Sequence, residues 1–238
     1  MTEQTTSPAP NYFHGNYKDE RLPYPDGPRS LLSIARYLGI GLVAFIPLAA
    51  VLAAVTAYAA TDIQRYWTVI LQLSAEESVW ITLLGGVDLV YRLSYIVCII
   101  LSSWLLFRAT RNLQSVAPGR LVTTPHWAWL WFFIPVANFY KPYKAVAEID
   151  RETRRAIGVS QQQSPLLMTW WVCFILSIFL GATNIQLPLA NLTQILMVLD
   201  VISGILGIVA AVLFFRITRE LSELQELLKS TSTASVFD

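Results

Sequence analysis

Asp88 and Arg92 stand four residues apart in a stretch otherwise almost free of charge, and Asp200 stands alone in a second such stretch. On a helix, residues four apart share a face, so the first two can pair. Arg92 precedes Arg108 by sixteen residues, and Asp200 precedes Arg216 by the same number. If both arginines mark one interface, Arg92 and Asp200 lie at similar depth, about 24 Å from it. Ionisable groups so deep in a membrane are costly and usually face the bundle interior or water. Two chemistries fit. A polar pocket could bind a solute or pass a proton. Alternatively, one Arg between two Asp could close an ion-pair staple between helices, which is the plainer reading because such a network satisfies itself. Tyr91 and Tyr95 are spaced to complete either arrangement.

Other chemistry is thinly represented. The sequence has no His-Glu-x-x-His, Gly-x-Ser-x-Gly or Cys-x-x-Cys motif and no phosphate-cradling Gly loop. Of two histidines, His14 lies in a Pro-rich tail and His126 follows Pro125 with no evident partner, so His126 reads as an interfacial side chain. Cys98 and Cys173 fall inside apolar runs, where cysteine acts as a small hydrophobe. No metal site, cofactor or catalytic residue is expected, and the chain reads as no enzyme. A net charge of +1 gives no argument for nucleic acid.

The elements carrying the three charges are membrane-like. The chain of 238 residues is 55% hydrophobic and 14% charged, against about 25% charged in soluble domains. Apolar runs at 38–60, 79–107, 166–183 and 195–215 each approach or exceed the roughly 20 residues that cross a hydrocarbon core. Pro47 is expected to kink the first, where Ala49, Ala53 and Ala57 form a small-residue stripe. Ser203, Gly207 and Ala211 form another in the last. Ala57-Tyr58-Ala59 resembles a cleavage site, but the run is longer than a signal core and reads as an uncleaved anchor. The capping box of Ser74 and Glu77 predicts a helix from about Ala75 to about Gln114. Tyr66 and Trp67 suit a membrane interface. Around Pro188, a short uncharged connection predicts a helical hairpin between the last two runs.

The aromatic segment 126–140 is too short to span. From Trp127 to Ile134 a helix rises about 12 Å, and Pro135 interrupts it. It reads as re-entrant or interfacial. An amphipathic helix at 141–158 follows, with Val146, Ile149, Thr153 and Ile157 on one narrow face. At the C-terminal side, Ile217, Leu221, Leu224 and Leu228 repeat at 4-3-4 spacing, a stripe for self-association or for docking on 141–158. Residues 1–30 and 230–238 read as disordered. The expected fold is therefore an all-α integral membrane domain over 31–229, with four transmembrane helices, a Pro-broken segment and a cytoplasmic amphipathic helix.

Trp127, Trp131, Phe132, Pro135, Asn138, Pro142 and Ile149, with two hydrophobic helices before them and two after, form a pattern that resembles the bacterial membrane proteins grouped as domain of unknown function 4328. The resemblance covers roughly Val79 to Arg219. It implies a bacterial multi-pass membrane protein and brings no activity, substrate or catalytic residue. The expected function is a membrane scaffold contacting lipid and a protein partner or a second copy of itself. The alternative is a transporter or channel subunit built on Asp88, Arg92 and Asp200.

Four crossings place fifteen of the seventeen basic residues on one face, leaving Arg65 opposite and Arg92 within a span. The positive-inside rule makes that face cytoplasmic, with both termini on it, in the cell (inner) membrane. Reporter fusions after Ser30, Gln72, Gly158, Gln186 and Lys229 are expected to read in, out, in, out, in. An external signal at Gly158 would give five crossings instead.

Overall fold

The computed structural model describes Tyr24 and residues 27–62, 75–159, 164–181 and 190–234. Residues 63–74 with Tyr66 and Trp67, most of the N-terminal tail including His14, the hairpin residues 182–189, and 235–238 lie outside the described residues. Those described form helices and turns, with no strand among them. The helices are α1 (Leu32–Thr61), α2 (Ala75–Val116), α3 (Pro125–Leu130), α4 (Pro135–Asn138), α5 (Lys141–Ala156), α6 (Leu166–Gly181) and α7 (Ala190–Ala234).

Three helices are long and apolar enough to cross a membrane, in the stretches Leu32–Thr61, Thr82–Val116 and Leu192–Ser232. The fourth expected span appears as the shorter apolar helix α6. Its 16 described residues rise about 24 Å, a little less than a hydrocarbon core. α1 runs without a break through Pro47. α7 has 45 residues, about 68 Å of helix, so more than half of it projects beyond any one bilayer crossing.

The long helices stand in the order α2, α1, α7, α6. α1 packs on both α2 and α7, α7 packs on α6, and α2 makes no substantial contact with α6. Small residues set the closest approaches. A Cβ added to Gly39 would lie 2.8 Å from the Phe215 ring, and one added to Gly204 would lie 3.1 Å from Ala53. Ala53 of the α1 stripe therefore meets Gly204 of α7, whereas Ser203 and Gly207 of the α7 stripe face Ser177 of α6. Ser203 adds a hydrogen bond from its hydroxyl to the Ser177 carbonyl of α6 at 2.7 Å. Near the far end, the Gln194 side chain donates to the Ala60 carbonyl at 3.2 Å, which satisfies an acceptor in the last turn of α1.

At the Arg-rich end, α5 packs across α2, α6 and α7. Val146, Ile149 and Thr153 are buried beneath it, and so are Ile217, Leu221, Leu224 and Leu228 of α7. The C-terminal stripe is thus covered within the same chain. Gly158, at φ 71°, ends the amphipathic helix in a left-handed turn two residues after Ala156. Asp150 and Arg154 pair at 3.1 Å, and Arg154 also binds Glu220 of α7. Burial pushes the Asp150 carboxyl above its ordinary range, while the Arg154 guanidinium pulls it back.

A buried polar network joins four parts of the chain here. Asn112 donates to the Gln225 side-chain oxygen at 3.0 Å and to the Arg29 carbonyl at 2.7 Å. Its own oxygen accepts from the Arg29 N–H at 2.8 Å. Gln225 donates to the Thr153 hydroxyl at 2.8 Å, which in turn donates to the Ile149 carbonyl at 2.7 Å. Asn112, Gln225 and Thr153 are all at most 1% exposed.

The network corrects the expected extent of disorder. Residues 27–30 are docked on α2 because Asn112 satisfies the Arg29 backbone. Tyr24 is held between two guanidinium groups, Arg29 at 4.3 Å and Arg111 at 4.2 Å from its ring centre. Residues 230–234 are likewise helical. Ser230, Thr231 and Ser232 donate their hydroxyls back to carbonyls one turn earlier, and the buried Leu228 anchors that end.

Replacing Asn112 with Ala strands the Arg29 backbone amide and the Gln225 oxygen in a dry interior. We expect a stability loss of about 2–3 kcal/mol, read as a shift in the denaturation midpoint of the purified protein. Trypsin should cut at Arg29 faster in the variant than in the wild type.

Candidate functional site

The gap between α2 and α6 is part of a cavity. Its volume is about 780 Å³, and it is lined by all four long apolar helices and by Phe132. Each wall follows from helical spacing. Phe45, Ala49, Leu52 and Thr56 recur at three or four residues on α1. Asp88, Tyr91, Tyr95 and Ile99 do so on α2, and Asp200, Ser203, Gly207 and Ala211 on α7. α6 contributes Trp170, Phe174 and Ser177. Stacked rings stiffen the walls. Phe45 lies 4.9 Å from Tyr91 and 6.3 Å from Tyr95, and Trp170 lies 4.7 Å from Phe214.

The Trp-rich segment closes the Arg-rich end of the gap. Three prolines, Pro125, Pro135 and Pro142, each stand in the first turn of a short helix, where the missing N–H costs nothing. The segment leaves α2 with His126 against Phe107 at 5.7 Å. It reaches α6 with Phe139 stacked on Phe179 at 5.2 Å, and the Trp171 indole N–H donates to the Phe139 carbonyl at 3.2 Å. Phe132 lines the cavity from this bridge. Trp127 and Trp131 stack on each other at 4.5 Å, Pro142 and Ile149 are buried in α5, and the Asn138 side-chain oxygen is buried without a hydrogen-bond partner. The outer surface of the bridge is apolar and uncovered. Trp127, Phe133, Val136, Phe139 and Tyr140 are exposed.

The three charges collect at the opposite end. Arg92 donates to Asp88 at 2.6 Å within α2. Asp200 lines the same cavity from α7, but among the described residues it makes neither a hydrogen bond nor an ion pair. The expected staple across helices is therefore not formed. Arg92 keeps 65% of its side chain exposed and Asp88 keeps 39%. Tyr91 and Tyr95 are near the charges, but their structural contacts are the ring contacts to Phe45. Among the described residues no group of three or more His, Cys, Asp or Glu could hold a metal ion. The Asn112–Gln225–Thr153 network was not foreseen. Polar residues at 112 and 225 stand beyond the apolar runs, where nothing in the sequence separates buried from solvated amides.

An all-helical chain with three membrane-length helices around a lateral cavity is a membrane-type bundle. Residues 68–223 match the family described as a domain of unknown function (DUF4328), and the chain belongs to that family. No curated protein and no solved structure matches it.

Because Asp200 has no ion pair to lose and holds its charge in a mostly apolar setting, Asp200→Asn should not destabilise the fold and should raise its stability by about 1 kcal/mol. A closed staple would instead lose several kcal/mol when broken. Thermal unfolding of wild type and variant in the same detergent separates the two.

Proposed function

We propose that this chain is a four-span protein of the bacterial cell membrane that takes a small ligand into the cavity between α2 and α6, and that it is not an enzyme. α6 is the fourth span. Both termini and α5 lie on the cytoplasmic side, and the segment 125–140 dips into the membrane from that side. The Lys and Arg distribution supports this orientation. The uncovered aromatic outer surface of 125–140 supports the dip, since lipid is the partner its rings suit.

The observation that carries the ligand reading is the cavity itself, mostly apolar with a few convergent polar groups at one end. Its volume falls within the roughly 300–1,000 Å³ typical of small-molecule sites. The scaffold reading loses most of its surfaces. The stripe on α7, the inner face of α5 and the small-residue faces of α1 and α7 are all used within the chain. What is left to a scaffold is the exposed aromatic surface of 125–140, which the four-span arrangement gives to lipid.

The test uses full-length protein in lipid nanodiscs and the neutral apolar fluorophore N-phenyl-1-naphthylamine. Saturable one-to-one binding is expected. Ile96 lines the cavity on α2 yet is half-exposed at its rim, so Ile96→Trp can narrow the mouth without disturbing the core. It should weaken binding by about tenfold. Absence of saturable binding, with one protein recovered repeatedly by crosslinking in native membranes, would replace this reading with the scaffold.

A further inference from the structure

The cavity narrows the class of ligand, an inference that rests on the ligand-binding reading above. We propose that it takes a single-chain amphiphile with a cationic head, an alkylamine or quaternary ammonium, which enters sideways between α2 and α6. The head sits at the Asp200 carboxylate. The chain runs along Phe45, Trp170, Phe174 and Phe214 toward Phe132.

Charge is the first argument. Asp88, Arg92 and Asp200 together carry one net negative charge, and Arg92, the only cationic side chain lining the cavity among the described residues, pairs with Asp88 at 2.6 Å. Among the described residues Asp200 has no hydrogen bond or ion pair, only the more distant charge of Arg92, in a mostly apolar setting where a charge without a close partner is expensive. A cation settles that cost. An anion would meet two carboxylates and an arginine already engaged. Tyr91, which lines the same cavity, adds a ring that attracts a cation.

Shape is the second argument. From Asp200 to Phe214 the cavity follows α7 for about 21 Å. Below the charged end its lining is largely apolar and aromatic, with Ser102, Ser177 and Ser203 as small polar exceptions. All three hydroxyls are already bonded to backbone carbonyls, Ser102 to Cys98 at 2.6 Å, Ser177 to Phe174 at 2.7 Å and Ser203 to Ser177 at 2.7 Å. A mostly apolar space with one charged end suits a chain with a head. Access is the third. α2 and α6 make no substantial contact, so the opening faces sideways, where a membrane-dissolved molecule arrives.

The experiment displaces N-phenyl-1-naphthylamine from the full-length protein in nanodiscs with dodecylamine, charged at neutral pH, and with dodecanol, its neutral match. Wild type should favour the amine by about tenfold, the worth of one ion pair in a partly hydrated site. Asp200→Glu should keep that preference. Asp200→Asn should reduce the preference to near one, read as the amine-to-alcohol ratio so that any change in fluorophore affinity cancels. Comparing the amine-to-alcohol ratio between wild type and variant cancels partitioning into the lipid. If the fluorophore binds but the two competitors displace it equally, or the preference survives in Asp200→Asn, the cationic ligand class is wrong while the cavity reading stands. If the fluorophore does not bind wild type at all, the cavity reading itself falls, and this inference with it.

Discussion

Two buried side-chain amides fix how this bundle is assembled. Asn112 and Gln225 sit in an interior that offers them no water, so each must find protein partners or leave a polar group unsatisfied. They satisfy each other, the Arg29 backbone and Thr153. Apolar helix faces tolerate sliding because one methyl replaces another. A donor–acceptor chain does not, since one helical step of slip would break several hydrogen bonds at once. The network therefore sets the register of α2 against α7, α5 and the end of the N-terminal tail. α2 and α7 are continuous from this network to the opposite end of the bundle. The positions of Asp88, Arg92 and Asp200 around the cavity follow from that distant register.

The cavity persists because the helix order leaves α2 and α6 apart. α1 and α7 take the central places, with Gly204 of α7 against Ala53 of α1 and Gly39 of α1 against Phe215 of α7. Among the described residues the gap is bridged at the Arg-rich end, by the segment with Pro125 and Pro135 and by α5, which packs on both α2 and α6. The prolines of that segment prevent one continuous helix, so it crosses the gap in short pieces. A continuous helix there would have filled the gap and left no space behind Phe132. The Arg154 link to Asp150 and Glu220 holds α5 on α7 next to this bridge.

An empty space and an unpaired carboxylate both cost stability. Sequences that satisfy local rules elsewhere tend to break them at functional sites. Both departures fall in one place here, at the end of the cavity lined by Asp200. The loops at the Arg-rich end are held by polar contacts, although Gln114 and Asn138 there keep buried side-chain oxygens without a hydrogen-bond partner. Glu148 accepts hydrogen bonds from the Val122 and Thr123 backbone and the Thr123 hydroxyl, so even the loop after α2 is tied down.

Much of the architecture was legible in the sequence. Hydrophobic runs and a capping box place the long helices within a few residues, since burial of backbone polar groups and apolar length are properties of each segment alone. α2 begins at Ala75, as the Ser74–Glu77 pattern predicts. The pairing of Asp88 with Arg92 was legible too, because residues four apart meet on any helix. Neighbour relations were not. Spacing along α7 put Asp200 at the depth of Arg92 but could not show which side of α7 faces α2, nor how far away α2 stands, and so a closed staple and an open pocket read alike. The roles of Asn112 and Gln225 were hidden for the same reason. Whether an amide is solvated or buried depends on what packs over it, and residues more than a hundred positions apart supply that cover. The sequence determined which segments are helical and where the charges lie along them. Only the tertiary structure decided which helices touch, and hence that α2 and α6 do not.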